Sequence, residues 1–172
     1  IKGFFPESVP NSLKIGTIVH SHVFEHVFEP LEFINKISNF LKDNSKMIFS
    51  IPNMQKMLES KYTNCLNFEH SLFLTEPYIE YALSLNNFKI IRKKYFRDDH
   101  SIFYETVKQK VNLANFDGEN LYSKNKKIFL NFIKHYKDEV RQLNNIIENS
   151  NDEFFLFGAH VFSQYLFAFG LL

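Results

Sequence analysis

Cysteine is nearly absent from this sequence, with Cys65 as the single example among 172 residues. One cysteine excludes an internal disulfide framework and a four-cysteine zinc site, and it agrees with a reducing compartment. An excess of one charge is also lacking, because the formal net charge is +1. This balance indicates neither a nucleic-acid-binding patch nor a polyacidic tail. We therefore expect no nucleic acid among the partners of the chain.

Long apolar runs are missing as well. No segment reaches the length of a membrane span, and no signal peptide is visible, so we expect a cytoplasmic protein without a membrane partner. Apolar residues are nonetheless abundant: 45% of the sequence is hydrophobic and 17% is aromatic, with 21 phenylalanines. Such a composition is sufficient for a packed core and too apolar for a disordered chain.

The order of the elements predicts an α/β fold. Short apolar runs at 15–20 and 47–51 are typical of buried strands, and Pro30 opens a helix between them at 30–42. Because crossovers between parallel strands are right-handed and short, we expect these strands to be parallel neighbours. A helix at 75–85 is followed by the segments 89–96 and 100–107, whose alternation predicts an antiparallel hairpin closing the sheet.

Three parts are predicted along the chain. Residues 1–112 hold the sheet, 113–150 form one long linker helix with an apolar stripe, and 151–172 begin a second α/β unit. In that last part we predict a strand at 154–157, a tight turn at Gly158-Ala159-His160 and a helix at 161–169. One strand and one helix cannot bury faces this apolar, so we expect the unit to be truncated.

The letters His22-Val-Phe-Glu25-His26 spell H-x-x-E-H, the inverted zinc-protease signature. That chemistry needs both histidines on one face of a helix. Here a strand ends two residues earlier and a helix begins again at Pro30, which places the motif in a loop, and we predict no metal site. Two interpretations of the loop stay open. Its polar residues either shape the loop alone or line a ligand cleft at the edge of the sheet.

Several segments carry a resemblance to a known family. Residues 20–30, which read His-Ser-His-Val-Phe-Glu-His-Val-Phe-Glu-Pro, resemble the fourth-strand segment of class I S-adenosylmethionine-dependent methyltransferases. Residues 48–53 are similar to the next strand of that family, Asn67-Phe68-Glu69-His70 to the segment before the next helix, and 87–91 to the sixth strand. A narrower likeness joins residues 158–166 to the C-terminal module of sugar C-methyltransferases.

The resemblance implies a Rossmann-like methyltransferase sheet, S-adenosylmethionine as cofactor, and methyl transfer to a small molecule. The candidate acceptor is a nucleotide-linked keto sugar that is methylated on carbon. Cofactor binding would involve His20, His22 and Glu25. The resemblance places Glu69 and His70 at the substrate, with either as the general base, because methylation next to a ketone requires loss of a proton. His26 would orient that base or share its proton.

The chain also departs from the family pattern. The Gly-rich loop and the acidic residue of the first two strands are absent and would lie upstream of Ile1, and Gly16 stands where an Asp is common. We therefore expect this chain alone to bind S-adenosylmethionine weakly or not at all. The alternative is a non-catalytic α/β interaction module that shares only the fold. Exposed sheet edges predict self-association.

Overall fold

Two compact units make up the structure, a computed structural model that describes residues 2–3, 5–10, 12–13, 15–66, 69–113, 115–158 and 160–172. The first unit comprises residues 1–54 and 69–116, and the second comprises residues 55–68 and 117–172. This division differs from the predicted boundaries after residues 112 and 150, since the segment 55–68 belongs with the long helix and the C-terminal part. Chain order alone does not show such an exchange between units.

The first unit is built on a four-stranded mixed sheet in the order β1-β2-β4-β3. Its strands are β1 (Thr17–Ser21), β2 (Lys46–Pro52), β3 (Phe88–Phe96) and β4 (Ser101–Lys108). Strands β1 and β2 are parallel, whereas β4 is antiparallel to both β2 and β3. The predicted α/β fold, its parallel pair and its antiparallel hairpin are thus confirmed. The hairpin folds back so that β4, later in sequence than β3, lies between β3 and β2.

Two helices of the first unit accompany this sheet. Helix α1 (Pro30–Phe40) connects β1 to β2, and its proline occupies the first turn, where a missing N–H costs nothing. A short helix α2 (Met54–Glu59), whose residues after Met54 belong to the second unit, follows β2 in sequence, and the second helix of the first unit, α3 (Glu76–Leu85), precedes β3. The Lys108 ammonium donates to the Leu41 carbonyl at 2.7 Å, just beyond the end of α1. A cation there complements the helix dipole and ties the helix to β4.

The core of the first unit is centred on β2. Met47, Phe49 and Ile51 are at most 1% exposed, and the intervening Ser50 is buried too, so that the strand is covered on both faces. Side chains from α1, α3 and β4 complete the cluster, among them Ile34, Ile37, Ile79, Leu83, Ile102 and Tyr104. Each large apolar side chain buried in this way contributes about 1.5–3 kcal/mol relative to exposure. The carboxyl end of β2 is therefore held rigidly beside that of β1.

The second unit contains the long helix α4 (Gly118–Glu148) and helix α5 (Val161–Ala168). The Asp117 carboxylate caps α4 by accepting a hydrogen bond from the Asn120 amide at 3.1 Å. Phe132, Tyr136 and Val140 are buried on one face of the helix, and the Tyr136 hydroxyl donates to the Lys61 carbonyl. The apolar stripe predicted on this helix therefore packs within its own unit through its aromatic residues.

Two further expectations differ from the structure. The strand predicted at 154–157 is wrong, since these residues form no strand and Phe155 and Phe157 are 86% and 100% exposed. A strand needs a neighbour for its backbone hydrogen bonds, and no described residue pairs with this segment. Ala159, in the turn predicted after it, lies outside the described residues. Of the helices that the structure describes, none is long and apolar enough to cross a membrane.

Candidate functional site

The candidate site begins where β1 ends. His22 directly follows the strand with a positive φ of 51°, and its amide donates to the Ser50 carbonyl of β2 at 3.0 Å. A single 3₁₀ turn (Phe24–His26) comes next, and α1 starts only at Pro30. Open α/β sheets bind ligands beyond the carboxyl ends of their parallel strands. The predicted loop is therefore confirmed and lies at the edge where a ligand is expected.

A second loop, at residues 69–72, packs against this turn. The Ser71 hydroxyl and the Leu72 amide both donate to the Glu25 carbonyl, each at 3.2 Å. Nδ1 of His26 lies 2.7 Å from the Glu69 carbonyl oxygen. A carbonyl oxygen only accepts, so Nδ1 carries the hydrogen in this contact. Three hydrogen bonds thus fix two loops that are more than forty residues apart in sequence.

Two predicted residues, His26 and His70, meet in this arrangement. Their ring centroids are 5.1 Å apart, and the Phe73 ring stands 6.4 Å from His70. His70 is half-buried, whereas Glu69 is exposed. The structure therefore brings a pair of imidazoles together beside an aromatic ring. Asn67 and Phe68, which precede this pair in the segment that carries the family resemblance, lie outside the described residues.

A buried carboxylate lies next to the two histidines. Glu25 is 2% exposed, and its Oε1 is 3.1 Å from Nδ1 of His22 and 3.8 Å from Nε2 of His26. Neither carboxylate oxygen makes a hydrogen bond of good geometry to a described residue. The 3.1 Å distance to His22 is that of an ion-pair contact, and a proton on Nδ1 would not point along it. Glu25 is consequently a desolvated acceptor surrounded by imidazoles.

One group of side chains in the described part of the chain has the composition of a metal site, with its ligand atoms close to one another. Glu25, His26 and His70 each offer one ligand atom, and these atoms all lie within 4.8 Å of one another. His22 does not belong to this group, and a single 3₁₀ turn cannot present H-x-x-E-H as a protease helix does. A scan for local motifs misses the grouping, because His70 comes from the second loop.

His20, the third of the residues predicted to bind cofactor with His22 and Glu25, lies in an aromatic cluster. Its ring stacks on Phe49 with centroids 5.1 Å apart and 13° between planes, and Phe24 is 5.4 Å away. Burial lowers the pKa of His20 to about 4, against the opposing effect of the Glu25 charge. The ring is therefore neutral at physiological pH. Cofactor binding by His20, His22 and Glu25 stays a prediction.

A cavity of about 620 Å³ opens beside the same turn. Its walls include Val19, Val23 and Phe33, with the charged side chains of Glu32 and Lys36 also in its lining. A volume of this size is in the range of small-molecule sites. Sequence reasoning did not predict the cavity, since its lining combines β1, α1 and residues 5–7.

Comparisons with known proteins identify no family. No family model matches the sequence, and no curated protein matches it. Among solved structures, a variant of the 16S rRNA (adenine(1408)-N(1))-methyltransferase from Catenulisporales acidiphilia is similar, with a TM-score of 0.43 and 12% identity. The match covers 63% of this chain and 56% of that one. A likeness of this size establishes neither activity nor substrate for the present chain.

Proposed function

We propose that this chain carries the acceptor side of an S-adenosylmethionine-dependent methyltransferase site. The main support for this proposal is the 2.7 Å contact between His26 Nδ1 and the Glu69 carbonyl oxygen. It joins the two segments whose motifs independently resemble that family. Two separate segments that each resemble the family are expected to lie in contact if both belong to one site. Unrelated loops are not expected to be in contact.

His70 is the proposed general base. Its ring faces His26, whose own orientation is held by the Glu69 carbonyl. Methylation of a carbon next to a ketone requires that a C–H bond be broken first, with the proton passing to a base and the electron pair to the enolate. Imidazole is suited to this step because histidine exchanges protons near physiological pH. The exposed Glu69 carboxylate is the second candidate for the same role.

We propose that the cavity beside the turn, which has the volume of a small-molecule site, receives the cofactor. When bound, S-adenosylmethionine supplies an electrophilic methyl group that the acceptor carbanion attacks. Val19 and Phe33 offer apolar surface, and Glu32 offers carboxylate oxygens that hydroxyl groups bind. The Glu25 carboxylate approaches His26, and the His26 ring faces that of His70. We propose that Glu25 and His26 orient the acceptor and His70, so that their loss affects binding and rate together.

A nucleotide-linked keto sugar is the proposed acceptor, on the strength of the sugar C-methyltransferase resemblance. The test is steady-state kinetics of the natural protein with such a sugar, together with exchange of its acidic proton into deuterated solvent. His70→Ala should lower kcat by about 10²- to 10⁴-fold, the usual contribution of a general base, with a much smaller change in donor affinity. His135→Ala, which removes a histidine of α4, is the control and should keep turnover unchanged.

Two outcomes would contradict the proposal at different levels. Proton exchange at the wild-type rate in His70→Ala would exclude His70 as the base and transfer that role to Glu69. Absence of turnover with every keto sugar tested would overturn carbon methylation, while methyl transfer to an oxygen or nitrogen acceptor would retain the broader activity.

A further inference from the structure

The Glu25 carboxylate has an unusual position for a charged group. It is 98% buried in the first unit, and neither oxygen has a hydrogen-bonded partner among the described residues. Burial of an ionised carboxylate without a partner is strongly unfavourable. A polar partner is therefore expected close to this side chain, and the nearest groups to Oε1 are the imidazole nitrogens of His22 and His26.

His26 is arranged as a metal-binding histidine is. Its Nδ1 hydrogen is directed to the Glu69 carbonyl oxygen at 2.7 Å, so that in the neutral ring Nε2 presents a lone pair. That nitrogen is 3.8 Å from Oε1 of Glu25. A histidine that binds a metal through one nitrogen typically donates its other N–H to a backbone carbonyl or carboxylate, which fixes both tautomer and orientation. Two acceptors that face each other at this distance are suited to sharing a cation.

Two imidazoles and one carboxylate form a ligand set with a defined preference. Imidazole nitrogen favours zinc, cobalt, nickel and copper over magnesium or calcium, and two histidines with one glutamate are a known zinc set that leaves a coordination position open. The ligand atoms of Glu25, His26 and His70 lie within 4.8 Å of one another. Ligands of a tetrahedral zinc ion are about 3.4 Å apart for bonds of about 2.1 Å. Binding therefore requires the ligand atoms that are furthest apart to approach by up to about 1.4 Å, through movement of side chains on the two loops.

We infer that Glu25, His26 and His70 form a binding site for a divalent transition-metal ion of the zinc type. The inference does not depend on methyl transfer. It has one consequence for that activity, which rests on the proposed function. A nitrogen that holds a metal cannot accept a proton, since metal and proton compete for the same lone pair. Zinc is therefore an inhibitor of any reaction in which His70 is the base.

Calorimetric titration of the 172-residue chain with zinc sulfate, after removal of bound metal with a chelator, tests the site. We expect one equivalent of zinc to bind. Glu25→Gln, His26→Gln and His70→Gln should each weaken binding by about 10-fold or more, given that loss of even an outer-shell partner costs 10- to 100-fold. His135→Gln is the control and should bind zinc as the wild type does. The visible absorption of bound Co²⁺ reports the same losses spectroscopically.

His22→Asn distinguishes the inferred ligands from the local H-x-x-E-H motif. Asparagine tolerates the positive φ of 51° at this position, so the backbone is retained. Binding of one equivalent of zinc should persist in this variant, because His22 contacts the Glu25 carboxylate but supplies no ligand of the inferred set. Loss of binding would assign the ion to His22, Glu25 and His26 and overturn the inferred site.

Absence of zinc binding by the wild-type chain would overturn the inference outright. Folding is checked by circular dichroism for every variant. Should Glu25→Gln fail to fold, His70→Gln still decides the question, because His70 lies half-buried on a loop outside the hydrophobic core. In the activity assay, inhibition by zinc that a chelator reverses is expected. Binding without inhibition would contradict the base role of His70 while the metal site stands.

Discussion

Replacement of His20 by phenylalanine probes whether a neutral imidazole is buried in the aromatic cluster behind the site. Both ring nitrogens of His20 are buried without a hydrogen-bonded partner among the described residues. Desolvation lowers the pKa of this histidine from 6.5 to about 4, while the nearby Glu25 charge opposes the shift. Phenylalanine retains a planar ring that can stack on Phe49 and removes the two unpaired nitrogens.

The sign of the effect follows from proton binding. Between pH 6.5 and pH 4 the unfolded chain carries a proton on His20 that the folded chain does not, so the free energy of unfolding decreases as the pH falls through this window. The loss amounts to about 2 kcal/mol at pH 5 and approaches about 3 kcal/mol near pH 4. His20→Phe lacks this loss. Its stability relative to the wild type should therefore increase by about 2 kcal/mol between pH 8 and pH 5.

Urea unfolding at both pH values, followed by circular dichroism in the presence of a chelator, measures this difference. Phe33→Leu is the matched control, because the Phe33 ring contacts His20 with centroids 6.1 Å apart but carries no titrating group. Its destabilisation should be the same at pH 8 and pH 5. A constant difference between wild type and His20→Phe across this range would refute the reasoning, since it would mean that His20 takes up its proton at the same pH in the folded and the unfolded chain.

Two further predictions concern buried polar atoms away from the site. The Tyr104 hydroxyl is buried without a partner among the described residues. Tyr104→Phe should therefore raise the free energy of unfolding, measured in urea titrations, by about 1 kcal/mol. A destabilised variant would show that the hydroxyl is hydrogen-bonded. Burial raises the pKa of the Cys65 thiol to about 12. Ellman's reagent at pH 8 should therefore react slowly with this thiol in the folded chain and rapidly in the chain unfolded by urea. Equal rates would contradict the burial of Cys65.

The parallel pair and the hairpin were predictable because their signals are local. Apolar runs of strand length, the proline at the start of α1 and the alternation on either side of Asp98 and Asp99 each act within a few residues. The insertion of β4 between β2 and β3 was not predictable from periodicity, since sheet order depends on which edges pair. The wrong prediction of a strand at 154–157 has the same cause. Apolar residues indicate a segment prone to form a strand, but they do not show whether a neighbouring strand is present for its backbone hydrogen bonds.

The same limit applies within the site, where identical letters permit two different ligand sets. On a helix, H-x-x-E-H would direct both of its histidines to one metal ion. Here the positive φ at His22 and the short 3₁₀ turn change the directions of the side chains. Glu25 and His26 instead group with His70, a residue that the second loop supplies through the contact between Glu69 and His26. Local sequence therefore nominates candidate residues, whereas the pairing of the two loops decides which of them lie close together.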